Sequence, residues 1–377
     1  MKVIVIGAST SGLFAAYLLA KGGAEVEVYE RMKALGSPSR TLIATGKLNE
    51  VLGFIPEEAI TNKIDFLELF SKARSATVAL GCPDLIIERS KLIELLARMA
   101  VTSGAKIIFQ HKFQAYAQSG KKILIRFQDL ASGEESQVNA DILVGADGTA
   151  SDVSLAASRN GHRHAALLQA RVHIPDVFRE DTCKVWFVVH QTRYFYWLIP
   201  ESKKVAAVGL IAEDADGAKA SLMTFLDSHH LEPFEFQSAS VPMHRFEYAG
   251  NELDPNQNIF LVGDAAAQVK TTTVGGLVTG LHGARALANA ILNGKNYQQE
   301  LSKLRVELNL HLLVRHILNR FNNENYDELM TLLKGGLKEV FEEWTRDELS
   351  RSFWKLISKE PRLITLGAKA VLRSMFQ

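Results

Sequence analysis

The sequence predicts an α/β fold in which a parallel sheet is assembled from three separated stretches of the chain. Residues 3–6, 142–144 and 259–262 are short apolar runs of the kind that form strands buried on both faces, and each run leads into a turn of small residues. Between the second and third runs, short β-rich stretches at residues 185–189, 194–199 and 205–211 predict an inserted antiparallel sheet. After residue 301, leucines and charged residues recur in a helical pattern, which predicts a helical C-terminal region.

The composition narrows the range of partners and compartments. The 377 residues include 43 Lys and Arg and 42 Asp and Glu, which give a formal net charge of +1. Since nucleic-acid-binding proteins usually carry a basic stripe, we expect no nucleic-acid partner. The two cysteines, Cys82 and Cys183, fit neither a CxxC pair nor a metal cluster, so we expect a cytoplasmic location. No apolar stretch reaches transmembrane length.

The N-terminal stretch forms a complete strand–turn–helix–strand unit. The first strand ends in the turn GASTSG, residues 7–12, where Gly7 permits the tight turn and Gly12 allows close packing of the helix. Free amides and the positive dipole end at the start of the helix favour a pyrophosphate. Glu30 ends the second strand about twenty residues further on, where an acid accepts ribose hydroxyls. The unit therefore predicts a dinucleotide site, without distinguishing FAD from NAD.

One position departs from the GxGxxG pattern of that turn. Ser9 stands where the second glycine is expected. Its side chain leaves less room for the phosphates of a dinucleotide to approach, and it adds a hydroxyl group that can donate a hydrogen bond. We interpret Ser9 as a tolerated variant.

Two later segments resemble further signatures of a known superfamily. Residues 141–148 (DILVGADG) and 258–266 (NIFLVGDAA) are each a buried strand followed by a small-residue turn. Together with the N-terminal unit they resemble, in order and spacing, the flavoprotein hydroxylase superfamily, whose members share a glutathione-reductase-like FAD domain. The resemblance implies that FAD is the cofactor, that Asp147 and Gly148 lie beside its pyrophosphate, and that the Asp264 carboxylate accepts hydrogen bonds from the ribityl chain.

The segment after Asp264 is similar to one branch of that superfamily. Residues 263–277 (GDAAAQVKTTTVGGL) look like the corresponding segment of the geranylgeranyl reductases, which saturate double bonds of isoprenoid chains. The likeness extends to residues 39–43 (SRTLI), to Glu88-Arg89 and to residues 361–363 (PRL). It implies that Arg40 and Thr41 lie near the isoalloxazine ring and Arg89 near the flavin phosphate or ribityl side.

Two details of the resemblance concern catalysis. Ala44 stands in the region where many archaeal members carry a cysteine near the flavin, so no thiol is assigned a role there. Residues 195–200 (FYWLIP) resemble the YxWxFP motif of the substrate domain, with Phe195 and Ile199 replacing its tyrosine and phenylalanine. Because side chains alternate along a strand, Phe195 and Trp197 share one face. We expect them to line the substrate pocket, the alternative being that they are core packed on the FAD domain.

These motifs define the predicted site and domains. The residues predicted to bind the cofactor are Gly7, Ser9, Ser11, Gly12, Glu30, Arg31, Arg40, Thr41, Arg89, Asp147, Gly148, Gly263, Asp264, Gly275, Gly276 and Leu277. The predicted domains are a split Rossmann-type FAD-binding domain (1–60, 84–160 and 250–295), an inserted antiparallel-sheet substrate domain (61–83 and 161–249) and a helical C-terminal region (296–377). No catalytic acid is assigned, and the scattered histidines lack the spacing of a metal site.

The resemblance implies a reductase that transfers a hydride from reduced flavin to a C=C bond of an isoprenoid or lipid. The sequence contains no second dinucleotide motif, so electrons are expected from a transiently bound nicotinamide or a small redox protein. Two alternatives stay open: a flavin monooxygenase or halogenase of the same superfamily, and a lipid carrier that has lost the flavin. The last apolar stretch, residues 363–376, could make a peripheral membrane contact, although a helix packed on the protein is the commoner arrangement.

Overall fold

The computed structural model describes residues 1–36, 39–156, 162–175, 177–213, 215–246, 258–335, 337–343 and 345–375. The strands of these residues are β1 Lys2–Ile6, β2 Glu25–Tyr29, β3 Thr41–Ala44, β4 Ile60–Phe70, β5 Ser75–Glu88, β6 Lys106–Ile108, β7 His111–Ser119, β8 Lys122–Asp129, β9 Glu135–Ala140, β10 Ile142–Gly145, β11 His164–His173, β12 Thr182–Trp186, β13 Tyr196–Pro200, β14 Val205–Ala212, β15 Pro233–Pro242 and β16 Ile259–Leu261.

The helices of the same residues follow in chain order. They are α1 Thr10–Lys21, α2 Lys47–Leu52, α3 Arg89–Thr102, α4 Asp152–Ala156, α5 Ala218–Ser228, α6 Leu277–Asn293, α7 Tyr297–Glu300, α8 Ser302–Leu318, α9 Asn323–Lys334, α10 Lys338–Glu343, α11 Leu349–Lys359 and α12 Arg362–Met375, with 3-10 helices at Glu57–Ala59 and Gly263–Ala266. Within the described ranges, none of these helices combines the length and the apolarity that crossing a bilayer requires.

A five-stranded parallel sheet in the order β16-β10-β1-β2-β6 collects the three predicted apolar runs. Val3 and Val5 of β1 face a core that contains α1, α3 and α6, whereas Ile4 and Ile6 face a core shared with the sheet β7-β8-β9. Because β1 is covered on both faces, an unbroken apolar run is the sequence such a strand requires. The predicted α/β fold class is confirmed.

A second sheet of eight strands has the order β15-β11-β14-β13-β12-β4-β5-β3. All neighbours are antiparallel except β12 and β4, which pair in parallel. Strands β12, β13 and β14 contain much of the β-rich stretches predicted from the sequence, although β12 ends at Trp186 and residues 187–189 lie outside it. Strand β3 pairs with β5 at the edge of this sheet. Arg40 and Thr41, at the start of β3, therefore lie where the eight-stranded sheet meets the five-stranded sheet and its nucleotide-binding turns.

The C-terminal helices close one end of the eight-stranded sheet. Tyr326, Met330, Leu356 and Leu366 from these helices pack in one buried cluster with Ala76 of β5. The helical prediction for this region is correct, and its apolar faces point at the sheet.

Candidate functional site

The glycine turn after β1 is pressed against the turn after β10. Gly7 has φ +98°, and a Cβ atom there would lie 2.6 Å from the carbonyl oxygen of Ala146. A Cβ on Gly12 would lie 2.4 Å from the Gly7 oxygen. Both positions therefore exclude larger residues, because the clashes are with backbone and Gly7 also needs a left-handed conformation.

Ser9 is accommodated without strain at the position of the second glycine. Its backbone has φ −75°, and its hydroxyl caps α1 by accepting a hydrogen bond from the Gly12 amide at 3.1 Å. A serine is a favoured N-cap residue for this reason. The hydroxyl hydrogen stays available to a ligand at the start of α1.

Glu30 is hydrogen-bonded to the backbone of the glycine turn after β1. One carboxylate oxygen accepts from the Ala8 amide at 2.8 Å, and the other accepts from the Met32 amide at 2.9 Å. A carboxylate has about four acceptor positions, so two are left for ribose hydroxyls. Glu30 lies in a cavity of about 320 Å³ that Gly7 and Arg31 also line.

We expect Glu30→Gln to weaken FAD binding by about 1 kcal/mol, because the neutral amide keeps only one acceptor oxygen and offers fewer acceptor positions to the ribose hydroxyls. A flavin titration of the apoprotein measures the change. The matched control is Glu25→Gln, which alters an exposed carboxylate on β2, the strand that precedes Glu30. Equal affinities of the two variants for FAD would contradict a contact between Glu30 and the cofactor.

The second turn contributes Asp147 and Gly148 to two cavities. The Asp147 carboxylate accepts from the Ser151 hydroxyl at 2.6 Å and from the Val153 amide at 3.2 Å, so it caps α4, and burial raises its pKa. Gly148 has φ +82°. Both residues line the small cavity and a larger one of about 1060 Å³. The turn thus lies at the junction of the two cavities, where the resemblance places a pyrophosphate.

Asp264, Arg40 and Arg89 form a buried charged group in the larger cavity. Among the described residues, no hydrogen-bond donor reaches the Asp264 carboxylate. Burial raises its pKa, while the charges of Arg40 and Arg89 oppose that shift. The Arg40 Nε is also buried without a described partner. Buried polar groups are normally hydrogen-bonded, so the Arg40 Nε fits a ligand that brings anionic oxygens, and the open acceptors of Asp264 fit hydroxyl donors of the same ligand. FAD has both.

The start of α6 is shaped around Asp264. A Cβ on Gly276 would lie 2.9 Å from Asp264 Oδ1, and α6 begins at Leu277 without a side-chain cap. Its first amides are therefore available to a ligand. Gly263, with φ +66°, makes room for Ser11, whose hydroxyl would be 2.7 Å from a Cβ there. Ser11, in the first turn of α1, consequently packs directly against the turn after β16.

Thr41 is bonded within the eight-stranded sheet. Its hydroxyl donates to Glu201, its amide donates to Gln237 Oε1 at 3.2 Å, and its carbonyl accepts from Gln169 Nε2 at 3.2 Å. The Glu201 carboxylate is further held by Arg171 at 2.8 Å. Thr41 therefore anchors β3 to the wall of the larger cavity, with its hydroxyl already used.

An aromatic wall runs along β13. Phe195 and Trp197 contact each other edge to face at 6.2 Å between ring centroids, and both line the larger cavity together with Ile199. Trp197 is 6% exposed, and among the described residues its Nε1 has no hydrogen-bond partner. A Cβ on Gly209 of the neighbouring strand β14 would lie 2.6 Å from the indole ring. Gly209 therefore leaves the space that the Trp197 side chain occupies.

The predicted site residues come together in space. All of them line one or both cavities except Gly12 and Gly263, whose roles are steric. Their role in binding stays a prediction.

The sequence analysis missed a buried set of ion pairs in the same wall. Lys270 pairs with Asp347, which also accepts from the Thr45 hydroxyl at 2.6 Å. Arg346 donates to Asp84 at 2.5 Å. Lys270 belongs to the segment that resembles the reductases, but Arg346 and Asp347 look in the sequence like ordinary charges of a helical region. No local pattern marks such a pair.

Comparisons with known proteins agree with this geometry. The family described as "FAD binding domain" matches residues 1–299. The chain is 24% identical to digeranylgeranylglycerophospholipid reductase 3 of Methanosphaera stadtmanae, over 88% of this chain and 90% of that protein. It is also 24% identical to digeranylgeranylglycerophospholipid reductase of Methanocaldococcus jannaschii, over 96% of each protein.

A solved structure shares the fold over nearly its whole length. It is a geranylgeranyl bacteriochlorophyll reductase-like protein of Thermoplasma acidophilum, with a TM-score of 0.77, 19% sequence identity and 98% of each chain covered. At this identity the likeness concerns the fold. The helices after residue 299 lie outside the matched family region but inside the structural match.

Proposed function

This chain belongs to the FAD-binding domain family, and from that premise we propose that it is a FAD-dependent reductase that saturates C=C bonds in the isoprenoid chains of a lipid. The cofactor predicted from the sequence is confirmed by the family match, and the resemblance to geranylgeranyl reductases is confirmed by the relatives. Those relatives are named for geranylgeranyl glycerophospholipids, which supports an isoprenoid lipid as the substrate class.

The observation that carries the proposal is the shape of the larger cavity. It holds about 1060 Å³ and joins the charged group at Asp264 and Arg40 to the aromatic wall of Phe195 and Trp197. A hydrocarbon double bond offers no polar handle, so a site for it must bind by apolar contact and hold the chain beside the cofactor. The cavity provides that combination in one space.

The residues of the chain have separable tasks in this reaction. Bound FAD, once reduced, supplies the hydride. The Asp264 carboxylate and the Arg40 guanidinium bind and orient the cofactor, and the free amides at the start of α6 favour negative charge beside it. Phe195, Trp197 and Ile199 exclude water and align the chain. No described acid is assigned as proton donor.

Electron supply and membrane contact belong to the proposal as well. We expect a nicotinamide or a small redox protein to reduce the cofactor. The helix α12 buries Leu366 and Ala370 against the protein and exposes Ile364 and Leu372. These two side chains would touch the lipid surface from which substrate is drawn.

A direct test uses the FAD-loaded protein reduced under anaerobic conditions. When it is mixed with a geranylgeranyl glycerophospholipid, mass spectrometry should show products that gain two hydrogens per bond. A monooxygenase or halogenase would instead require oxygen and would add oxygen or halogen to its product. A lipid carrier without flavin would purify colourless. Failure to hydrogenate any isoprenoid lipid would overturn the reductase proposal.

Trimming Trp197 should separate substrate binding from cofactor binding. We expect Trp197→Ala to raise the KM for long-chain lipid roughly tenfold to a hundredfold, because about 1.5–3 kcal/mol of apolar contact is lost. FAD content should be unchanged, and Trp197→Phe should be intermediate. The matched control is Trp354→Ala, which removes a tryptophan that is 73% exposed on α11. An unchanged KM in Trp197→Ala would remove this residue from the substrate pocket.

A further inference from the structure

Arg315 occupies the wall of the larger cavity at the far end of the aromatic strand. It lies in the last turn of α8 and lines the cavity together with Leu318, Phe187 and Phe195. Its side chain is deeply buried, because the residue is only 3% exposed. A guanidinium therefore interrupts a surface that is otherwise apolar at this end.

The contacts of Arg315 leave its charge without a counter-ion. One NH2 group donates to the Arg193 carbonyl at 2.8 Å, and the guanidinium carbon lies 4.5 Å from the centre of the Tyr194 ring. The guanidinium also donates a hydrogen bond to the neutral Tyr326 phenol. Its Nε is buried with no described hydrogen-bond partner. Across the parts of the chain that the structure describes, no carboxylate forms an ion pair with it. In contrast, Lys270 and Arg346 of the same cavity are both paired with acids.

The groups around Arg315 do not supply the missing negative charge. Burial raises the pKa of Tyr194 and of Tyr326, so both phenols are neutral at physiological pH. The acid that raises the pKa of Tyr194 is Glu213, which is exposed and accepts from the Arg193 amide at 3.2 Å. A buried cation without an anion is costly unless a ligand provides one.

Strand β13 separates this cation from the residues that are predicted to bind the cofactor. Residue 201, which follows β13, bonds to Thr41 beside Arg40, whereas Arg193 and Tyr194, which contact Arg315, precede β13. The four steps of extended chain from residue 195 to residue 199 span about 13 Å. Trp197 lies between these ends. The larger cavity therefore has the Arg315 cation beside the start of β13, aromatic side chains along β13, and Arg40 with Asp264 on its cofactor side.

We propose that Arg315 binds the oxyanion head group of an amphiphilic substrate, a phosphate ester, while the attached isoprenoid chain lies along Trp197 toward the cofactor. The inference rests on the proposed function, since it names how the lipid is oriented in that site. A guanidinium suits this task because it can form two parallel hydrogen bonds to a phosphate or carboxylate. Arg315 would thus set which double bonds reach the cofactor.

The test compares geranylgeranyl monophosphate with geranylgeraniol, which carries the same chain without the anion. Binding to the FAD-loaded protein is measured calorimetrically, and reduction is followed separately by mass spectrometry. We expect the wild type to bind the monophosphate at least about tenfold more tightly than the alcohol. Arg315→Met should remove that difference by weakening only the monophosphate, and Arg315→Lys should retain part of it.

The control variant is Arg98→Met, which removes an exposed arginine paired with Glu58 on the surface. It should leave the preference for the monophosphate intact. Inorganic phosphate added together with the alcohol should not raise the affinity for the alcohol. If it does, the site binds free phosphate and the head-group assignment is wrong.

Failures of the two proposals can be told apart. If the wild type binds both ligands equally, or if Arg315→Met weakens both to the same extent, the head-group inference is overturned even when both ligands are reduced. If neither of these ligands nor the glycerophospholipid is reduced, the reductase proposal fails, and the binding comparison still decides whether Arg315 recognises the anion.

Discussion

Asp347→Ala is expected to lower the free energy of unfolding by about 3–5 kcal/mol, because it leaves the Lys270 ammonium buried without its partner. The side chains of Lys270 and Asp347 are 6% and 5% exposed. Urea denaturation of the FAD-loaded protein, at a fixed concentration of free FAD, measures the loss.

The position of this pair explains why its loss should also reach the cofactor site. Asp347 comes from the C-terminal region, yet it holds Thr45 just after β3 and Lys270 just before the glycines that open α6. Those two segments carry Arg40 and Gly276. The pair therefore connects both of these walls of the larger cavity to the helical C-terminal region.

The pH dependence of stability has a defined sign. Burial by itself would raise the pKa of Asp347, but the charge of Lys270 and the hydrogen bonds from Lys270 and Thr45 hold it below its ordinary value. The contribution of the pair is therefore present above the ordinary pKa of an aspartate and is lost as the pH falls through the lowered pKa.

Two further variants test the interpretation. The double variant Lys270→Met/Asp347→Leu removes both charges and should recover much of the lost stability, since an apolar pair can replace a buried ion pair. Glu339→Ala breaks the surface pair with Lys359 and should cost about 0–1 kcal/mol. A loss in Asp347→Ala no larger than in Glu339→Ala would show that the buried pair adds little stability.

Asp264→Ala is expected to weaken FAD binding by about 1–3 kcal/mol, which is roughly a fivefold to hundredfold increase in Kd. The reason is that no described protein group donates to this carboxylate, so its acceptors are left for hydroxyl groups of the cofactor. Removing it also takes away the negative charge between Arg40 and Arg89. Fluorescence titration of the apoprotein with FAD measures the affinity.

Two further variants test whether the carboxylate oxygens of Asp264 account for the loss of FAD affinity. Asp264→Asn keeps one oxygen and should be intermediate, whereas Asp227→Ala, an exposed position on α5, should bind FAD like the wild type. Flavin occupancy after dialysis that is the same in Asp264→Ala and Asp227→Ala would take Asp264 out of the cofactor site.

The predictable part of this protein is encoded in contiguous segments. In the N-terminal unit, the strand, the turn with Gly7 and Gly12, the helix and Glu30 follow one another within thirty residues, so local spacing determines their geometry. The same holds for the turn that carries Asp264. The parallel fold and a dinucleotide site could be predicted for this reason, whereas the FAD cofactor was implied by the resemblance of three such segments to a known superfamily.

Other features depended on contacts that no local pattern contains. The alternation of side chains placed Phe195 and Trp197 on one face, but only the packing of the sheets decided that this face borders the cavity. Thr41 was expected near the flavin ring, and its hydroxyl is bonded to Glu201, which is 160 positions away in the chain.

The sequence by itself determined the α/β fold and the nucleotide-binding turns, since the information for each turn lies within one strand–turn–helix segment, and the resemblance of three such segments to a known superfamily implied the cofactor. Only the tertiary structure decided that Asp347 secures the two walls of the cavity and that Arg315 is buried there with no acid paired to it among the described residues. A helical pattern shows which face of a helix is apolar, whereas the partner of a buried charge depends on how distant elements pack against each other.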